Sequence, residues 1–76
     1  MTKYKNLSGR SNVDSFDVGD EYIIVRFKSG RERNYLYTYL SAGRVAVETM
    51  KRLAVDGIGL GRMLATKPYH AHARKW

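Results

Sequence analysis

Two stretches decide how this chain folds: Tyr22-Ile23-Ile24-Val25-Arg26-Phe27 and, past a Ser29-Gly30 turn, Tyr35-Leu36-Tyr37-Thr38-Tyr39. The first is dense in β-branched and aromatic residues. It alternates Ile23, Val25 and Phe27 onto one face, as a half-buried strand does. Residues Arg33 to Thr38 continue as a second strand running back beside it. The link between them sets the register, and a slip of one residue turns every side chain to the opposite face. With Ser29-Gly30 as a two-residue loop, Ile24 opposes Tyr35 and Tyr22 opposes Tyr37. The tyrosines then face away from Ile23, Val25 and Phe27. With Lys28-Ser29-Gly30 as a three-residue loop and Gly30 left-handed, Ile23 meets Tyr35 and the rings face the core. Both registers are open. Ser-Gly is not the pair that best suits a two-residue turn, whereas glycine is common at the third loop position, so the second is favoured.

Upstream, Asn12 to Val18 reads as a weaker strand, diluted by Asp14, Ser15 and Asp17, and Gly19-Asp20 is a turn signal. Met1 to Arg10 lacks periodicity and reads as an arm that Tyr4 and Leu7 could pin. Downstream the period changes. Ser41-Ala42-Gly43 breaks the strand, with Ser41 a candidate N-cap. From Arg44 to Asp56 the spacing is helical, with Ala46, Met50, Leu53 and Ala54 on one face and Val47 on its flank. Glu48 can pair with Arg44 and Arg52 on the outer side. Gly57 is positioned as a C-cap. A short second helix is expected from Leu60 to about Thr66, stopped by Pro68.

The expected fold is α+β. A three-stranded antiparallel β-meander packs against a C-terminal amphipathic helix, followed by a short second helix. An uncovered sheet of this size is only marginally stable, so the helix must lie on it, with Leu53 and Phe27 expected to join the two. The expected organisation is an arm over residues 1–10, one domain over 11–70 and a basic tail over 71–76.

A chain of 76 residues holds one domain, and its 43% hydrophobic content suits a packed core rather than disorder. With no cysteine there is no disulfide framework or thiolate metal site, which fits a reducing compartment. No apolar run approaches the ~20 residues of a membrane span, and Met1 to Lys5 has no apolar leader, so a cytoplasmic protein without a membrane partner is expected. The net charge is +7, and after Asp56 there is no acid, while Arg62, Lys67, Arg74 and Lys75 follow. So basic a chain favours anionic partners, nucleic acid first. Solubility alone also accounts for many basic compositions.

The order of elements resembles a known family. A weak strand with Ser11, Asn12 and Val13 comes first, then a strand with Ile23, Val25 and Phe27, then Gly30. A strand with Tyr35 and Tyr37 follows, and then an amphipathic helix trailed by glycines. Over residues 11–70 this is similar to the KTSC domain, which is found at the C-terminus of some lysyl-tRNA synthetases and as a stand-alone small bacterial protein. The chain departs from the family in a longer spacing from Phe27 to Tyr35. It also carries Gly57-Ile58-Gly59-Leu60-Gly61-Arg62 where the family has a glycine and aromatic segment. The resemblance implies an α+β fold and, through the synthetase context, an RNA partner. It implies no mechanism.

Chemistry is concentrated in two places. Arg26, Lys28, Arg31 and Arg33 flank the hairpin turn, and Tyr35 and Tyr37 follow. Cations contact phosphates and rings stack on bases. Without a partner, this arrangement is a tyrosine-lined core beside a solvated basic hairpin whose charges repel one another. The second place is Gly59, Gly61 and Arg62, with Lys67 beyond, where a glycine-rich loop opening a helix could cradle an anion. The spacing is not that of a Walker motif, and capping and close packing explain the glycines better. His70 and His72 lack a third ligand. No nucleophile, base and orienter pattern is visible, so a non-catalytic module without a cofactor is expected. Its expected partner is RNA or another polyanion. The alternatives are a protein partner or a second copy docking through a spare sheet face (Tyr22, Ile24, Leu36), or a small phosphorylated metabolite held at Gly59 to Arg62.

Overall fold

The computed structural model describes all residues from Met1 to Trp76. Five strands and three helices follow in the order β1 (Thr2–Lys3), β2 (Val13–Val18), β3 (Tyr22–Phe27), β4 (Asn34–Thr38), α1 (Tyr39–Ala42), α2 (Arg44–Asp56), α3 (Leu60–Ala65) and β5 (Arg74–Lys75). They form one antiparallel sheet of order β1-β2-β3-β4-β5. The α+β class holds. The expected three strands and two helices are corrected to five and three, because both ends of the chain pair with the central meander and α1 precedes the long helix.

The central pairing opposes Val25 to Tyr35 and Ile23 to Tyr37. The link is longer than either alternative drawn from the sequence. It runs from Lys28 onward and is closed by the Phe27 N–H donating to the Arg33 carbonyl at 2.9 Å. Tyr35 therefore meets Val25 instead of Ile23, a displacement of two residues. An even displacement preserves the face, so the rings of Tyr35 and Tyr37 turn to the same side as Ile23 and Val25. Tyr37 is 6% exposed, and Tyr35 is half-buried beside it.

β2 carries a device that alternation conceals. Its register to β3 shifts between Val13 and Ser15, so that Val13 opposes Phe27 and Phe16 opposes Val25. Three positions apart, Val13 and Phe16 would face opposite sides of a regular strand. The bulge puts both on the helix side, where both are buried. Ser15 falls on the far side opposite Arg26, and its hydroxyl donates to Asp14 Oδ2 at 3.1 Å.

The helices cover the face that carries Ile23, Val25 and Tyr37. α2 buries Val47, Met50 and Ala54 there, and α3 buries Leu60. Leu53 and Phe27, expected at the centre, are only partly buried at its margin. Helix entry also differs from expectation. Thr38 caps α1 in a reciprocal box with Ser41, their hydroxyls each accepting from the other's backbone N–H at 3.0 Å. Ser41 is thus the third residue of α1, and α2 starts after Gly43 with no side-chain cap. Gly57 does end α2 in the left-handed region, at φ 80°. Glu48 pairs with Lys51 at 2.8 Å and accepts from the Tyr39 hydroxyl at 2.5 Å, instead of engaging Arg44 and Arg52.

Residues 1–10 are built into the fold. Tyr4 is 3% exposed and its N–H donates to the Asp14 carbonyl at 2.9 Å. Its hydroxyl accepts from the Leu60 N–H at 3.3 Å, taking one of the free donors at the start of α3. Leu7, by contrast, is exposed, and its backbone N–H reaches the Gly57 carbonyl at 2.7 Å. The basic tail is equally engaged. Ala73 donates to the Leu36 carbonyl at 2.7 Å, and Trp76 exchanges backbone bonds with Asn34 at 2.9 and 3.0 Å. No helix is long and apolar enough to cross a membrane.

Candidate functional site

The β3–β4 loop folds back toward the segment leading into β2. The Lys28 N–H donates to the Asn12 carbonyl at 2.8 Å, and the Ser29 hydroxyl donates to Asn12 Oδ1 at 3.4 Å. On the other side of Asn12 lies α3. A cleft opens between the loop and α3. Its outer end, about 400 Å³, is lined by Arg31 and Glu32 over Phe27 and Tyr35. Its inner end, about 730 Å³, is lined by Arg10, Arg62, Ser8, Ser11, Gly59 and Gly61. Asn12, Phe27 and Leu64 border both ends, so the two hollows adjoin one another. Each volume lies in the ~300–1,000 Å³ range of small-ligand sites.

Local structure explains the shape of the inner end. Gly59 enters α3 at φ 89°, in the left-handed region that an L side chain rarely adopts. Gly61 packs against Ser11, whose hydroxyl oxygen would lie 2.5 Å from a Cβ added there. Both glycines therefore have packing reasons of their own. With the Leu60 N–H bound to Tyr4, the polar groups left to the inner end are chiefly side chains. Ser8 and Ser11 accept from backbone N–H groups of Arg10 and Val13 at 3.3 and 3.1 Å, which leaves their hydroxyl protons free to donate. No acid lines the inner end. Glu32 is the one acid at the outer end, 3.8 Å from Lys75 Nζ.

The aromatic floor is ordered by its own packing. Phe27 meets Tyr35 edge-on with centroids 5.4 Å apart, and Tyr35 lies nearly parallel to Tyr37 at 6.4 Å. His72, itself exposed, meets Tyr35 edge-on at 5.1 Å. Burial, aided by the neighbouring Tyr35, pushes the Tyr37 hydroxyl up to about 12. It stays protonated across the neutral range.

Of the residues singled out from sequence, Arg31, Tyr35, Tyr37, Gly59, Gly61 and Arg62 come together around this cleft. The hairpin and the glycine loop, read as separate features, line adjoining hollows. Arg26 does not join them. It lies between Val25 and Phe27 and so projects from the opposite face of the sheet, where it is exposed. Lys28 and Arg33 belong to the loop without lining the cleft, and Arg33 Nη1 is turned back to the Lys28 carbonyl at 3.5 Å. Lys67 lies exposed beyond α3. Sequence reasoning missed Arg10, Ser8, Ser11 and Asn12. The run Ser8-Gly9-Arg10-Ser11-Asn12 was legible as a polar turn. Its partner across the cleft, half a chain away, was not. No group of three His, Asp or Glu side chains stands close enough to hold a metal ion.

The face of the sheet opposite the helices carries Tyr22, Ile24 and Leu36. The tail adds Trp76 to it, with the Arg74 guanidinium 5.6 Å from its ring centroid. Tyr22 and Trp76 are 39% and 45% exposed.

No protein-family model, curated protein or solved structure matches this chain.

Proposed function

We propose that this protein is a non-catalytic binding module for single-stranded RNA or a chemically similar polyanion, and that the cleft is where the strand is held. The observation that carries this reading is the gathering of Arg10, Arg31 and Arg62, far apart in sequence, around two adjoining hollows that share Phe27, with Tyr35 and Tyr37 beside Arg31. Cations beside accessible rings are what a single strand needs: counter-charge for its phosphates and apolar surface for its bases. The net charge of +7 supplies long-range attraction for such a partner. The likeness of residues 11–70 to the KTSC domain belongs with this proposal, since a synthetase context puts RNA within reach.

The test is a titration of short single-stranded RNA at low and at moderate salt. Binding through cations releases condensed counterions, so affinity must fall steeply as salt rises. Absence of binding even at low salt overturns the reading.

A second reading has its own observation. The helices leave one sheet face uncovered, and Tyr22, Ile24, Leu36 and Trp76 give it an apolar character. That face suits a protein partner or a second copy of this chain. Concentration-dependent sedimentation, abolished by Trp76→Ser, is its signature.

A further inference from the structure

We propose that the cleft seats one nucleotide of the bound strand in a fixed direction and discriminates its base. The phosphate lies at the inner end with Arg10 and Arg62. The base lies at the outer end against Phe27 and Tyr35, with its amino edge toward Glu32. This rests on the RNA reading above and goes beyond it, because a polyanion site as such requires neither direction nor base preference.

The two ends of the cleft differ in kind. The inner end offers two guanidinium groups, two serine hydroxyls with free protons and glycine backbone, with no acid. Planar guanidinium forks match phosphate oxygens, and hydroxyls add donors. The outer end has the ring surfaces and a carboxylate. A base placed at the inner end would meet Phe27 but forgo Tyr35 and Tyr37, and a phosphate placed at the outer end would meet Glu32. The charges therefore orient the nucleotide.

Glu32 also selects. An ionised carboxylate only accepts hydrogen bonds. Cytosine offers its exocyclic amino group as a donor. Uracil presents carbonyl oxygens on both sides of its single N–H, which repel a carboxylate. Asn12, at the junction of the two ends, can either donate or accept and so does not by itself discriminate. Cytosine is the expected pyrimidine. A strand also exceeds a free nucleotide, because flanking phosphates reach the exposed Arg31 foremost, with Lys28 and Arg33 at the rim.

The experiment compares octamers of cytidylate and of uridylate, and free cytidine 5′-monophosphate, by fluorescence anisotropy or its competition at fixed low salt. The parent protein is expected to bind the cytidylate octamer about tenfold more tightly than the uridylate octamer, and more tightly than the mononucleotide by a similar factor. Glu32→Gln, whose amide both donates and accepts, should abolish the difference between the octamers. Arg10→Gln and Arg62→Gln should each weaken both octamers about tenfold, while Arg52→Gln on the exposed side of α2 leaves affinity within about twofold, the small change left by a screened surface charge. The altered side chains are exposed, so the fold persists. Octamer binding unaffected by Arg10→Gln and Arg62→Gln overturns the seat and leaves the RNA reading standing. Equal affinity for the two octamers in the parent overturns the base selection. Mononucleotide binding as tight as the octamer assigns the cleft to a free nucleotide and overturns the strand. Failure of every octamer to bind at low salt removes this inference and the RNA reading together.

Discussion

The buried hydroxyl of Tyr4 accepts a hydrogen bond from the Leu60 backbone N–H at 3.3 Å, tying the first residues of the chain to the start of its last helix. Leu60 and Tyr4 are both buried, so water cannot replace the bond. The same contact holds α3 at the position where it walls the cleft. Tyr4→Phe keeps the ring but leaves the N–H without a partner, at a cost of ~1–3 kcal/mol. For a domain of this size each kcal/mol lowers Tm by about 4–8 °C. A thermal melt of Tyr4→Phe within a degree of the parent would show that the contact carries no weight.

Core truncations should rank by burial along α2. Met50 is fully buried, whereas Leu53 lies at the margin. Met50→Ala should cost ~2–5 kcal/mol, close to the whole stability of a small domain. Leu53→Ala should cost less than half as much. Denaturant unfolding of both variants checks the order, and a larger loss at Leu53 would mean that α2 is rotated about its axis.

Burial of Tyr37 makes stability fall at high pH. Its folded-state value is about 12 against an ordinary 10.0, so the native protein holds this proton more tightly than the unfolded chain does. The contribution is fully present below about pH 10, the unfolded value, and is lost as pH rises from there toward about 12. Tyr37→Phe has no proton to lose. Its unfolding free energy should decline less than the parent's between those limits. Parallel curves for the two proteins would place the hydroxyl in solvent.

The two loop arginines should behave differently. Arg31 lines the cleft, while Arg33 is turned back toward the Lys28 carbonyl at the rim. Arg31→Gln should weaken RNA binding about tenfold, and Arg33→Gln should weaken it less. Equal losses would place the strand along the outside of the hairpin.

Much of the fold was legible, and the limits have physical causes. The strand from Tyr22 to Phe27 and the helix from Arg44 to Asp56 declare themselves by period, and Gly57 ends the helix as its position suggests. The tyrosine face followed from parity, which survived although the loop was longer than supposed. β2 showed only weakly, because acids and serine dilute it and the bulge after Val13 lets residues three apart share a face. The ends of the chain read as arm and tail because β1 and β5 are two residues each, too short to show a period. The candidate site was half legible. Arg31 and Arg62 announced themselves by charge and neighbouring glycine. Arg10 and Asn12 acquire meaning only when the fold brings the loop, α3 and the segment before β2 to one place.

The most direct test of the cleft as the RNA site is the salt dependence of binding to a single-stranded octamer, compared between the parent and an Arg31→Gln/Arg62→Gln double variant. Each phosphate contact to a single strand contributes a slope of about −0.7 in log affinity against log salt concentration. The account predicts that the variant binds more weakly and that its slope is shallower by about 1.4, two contacts' worth. A folded double variant with the parent's affinity and the parent's slope would contradict it.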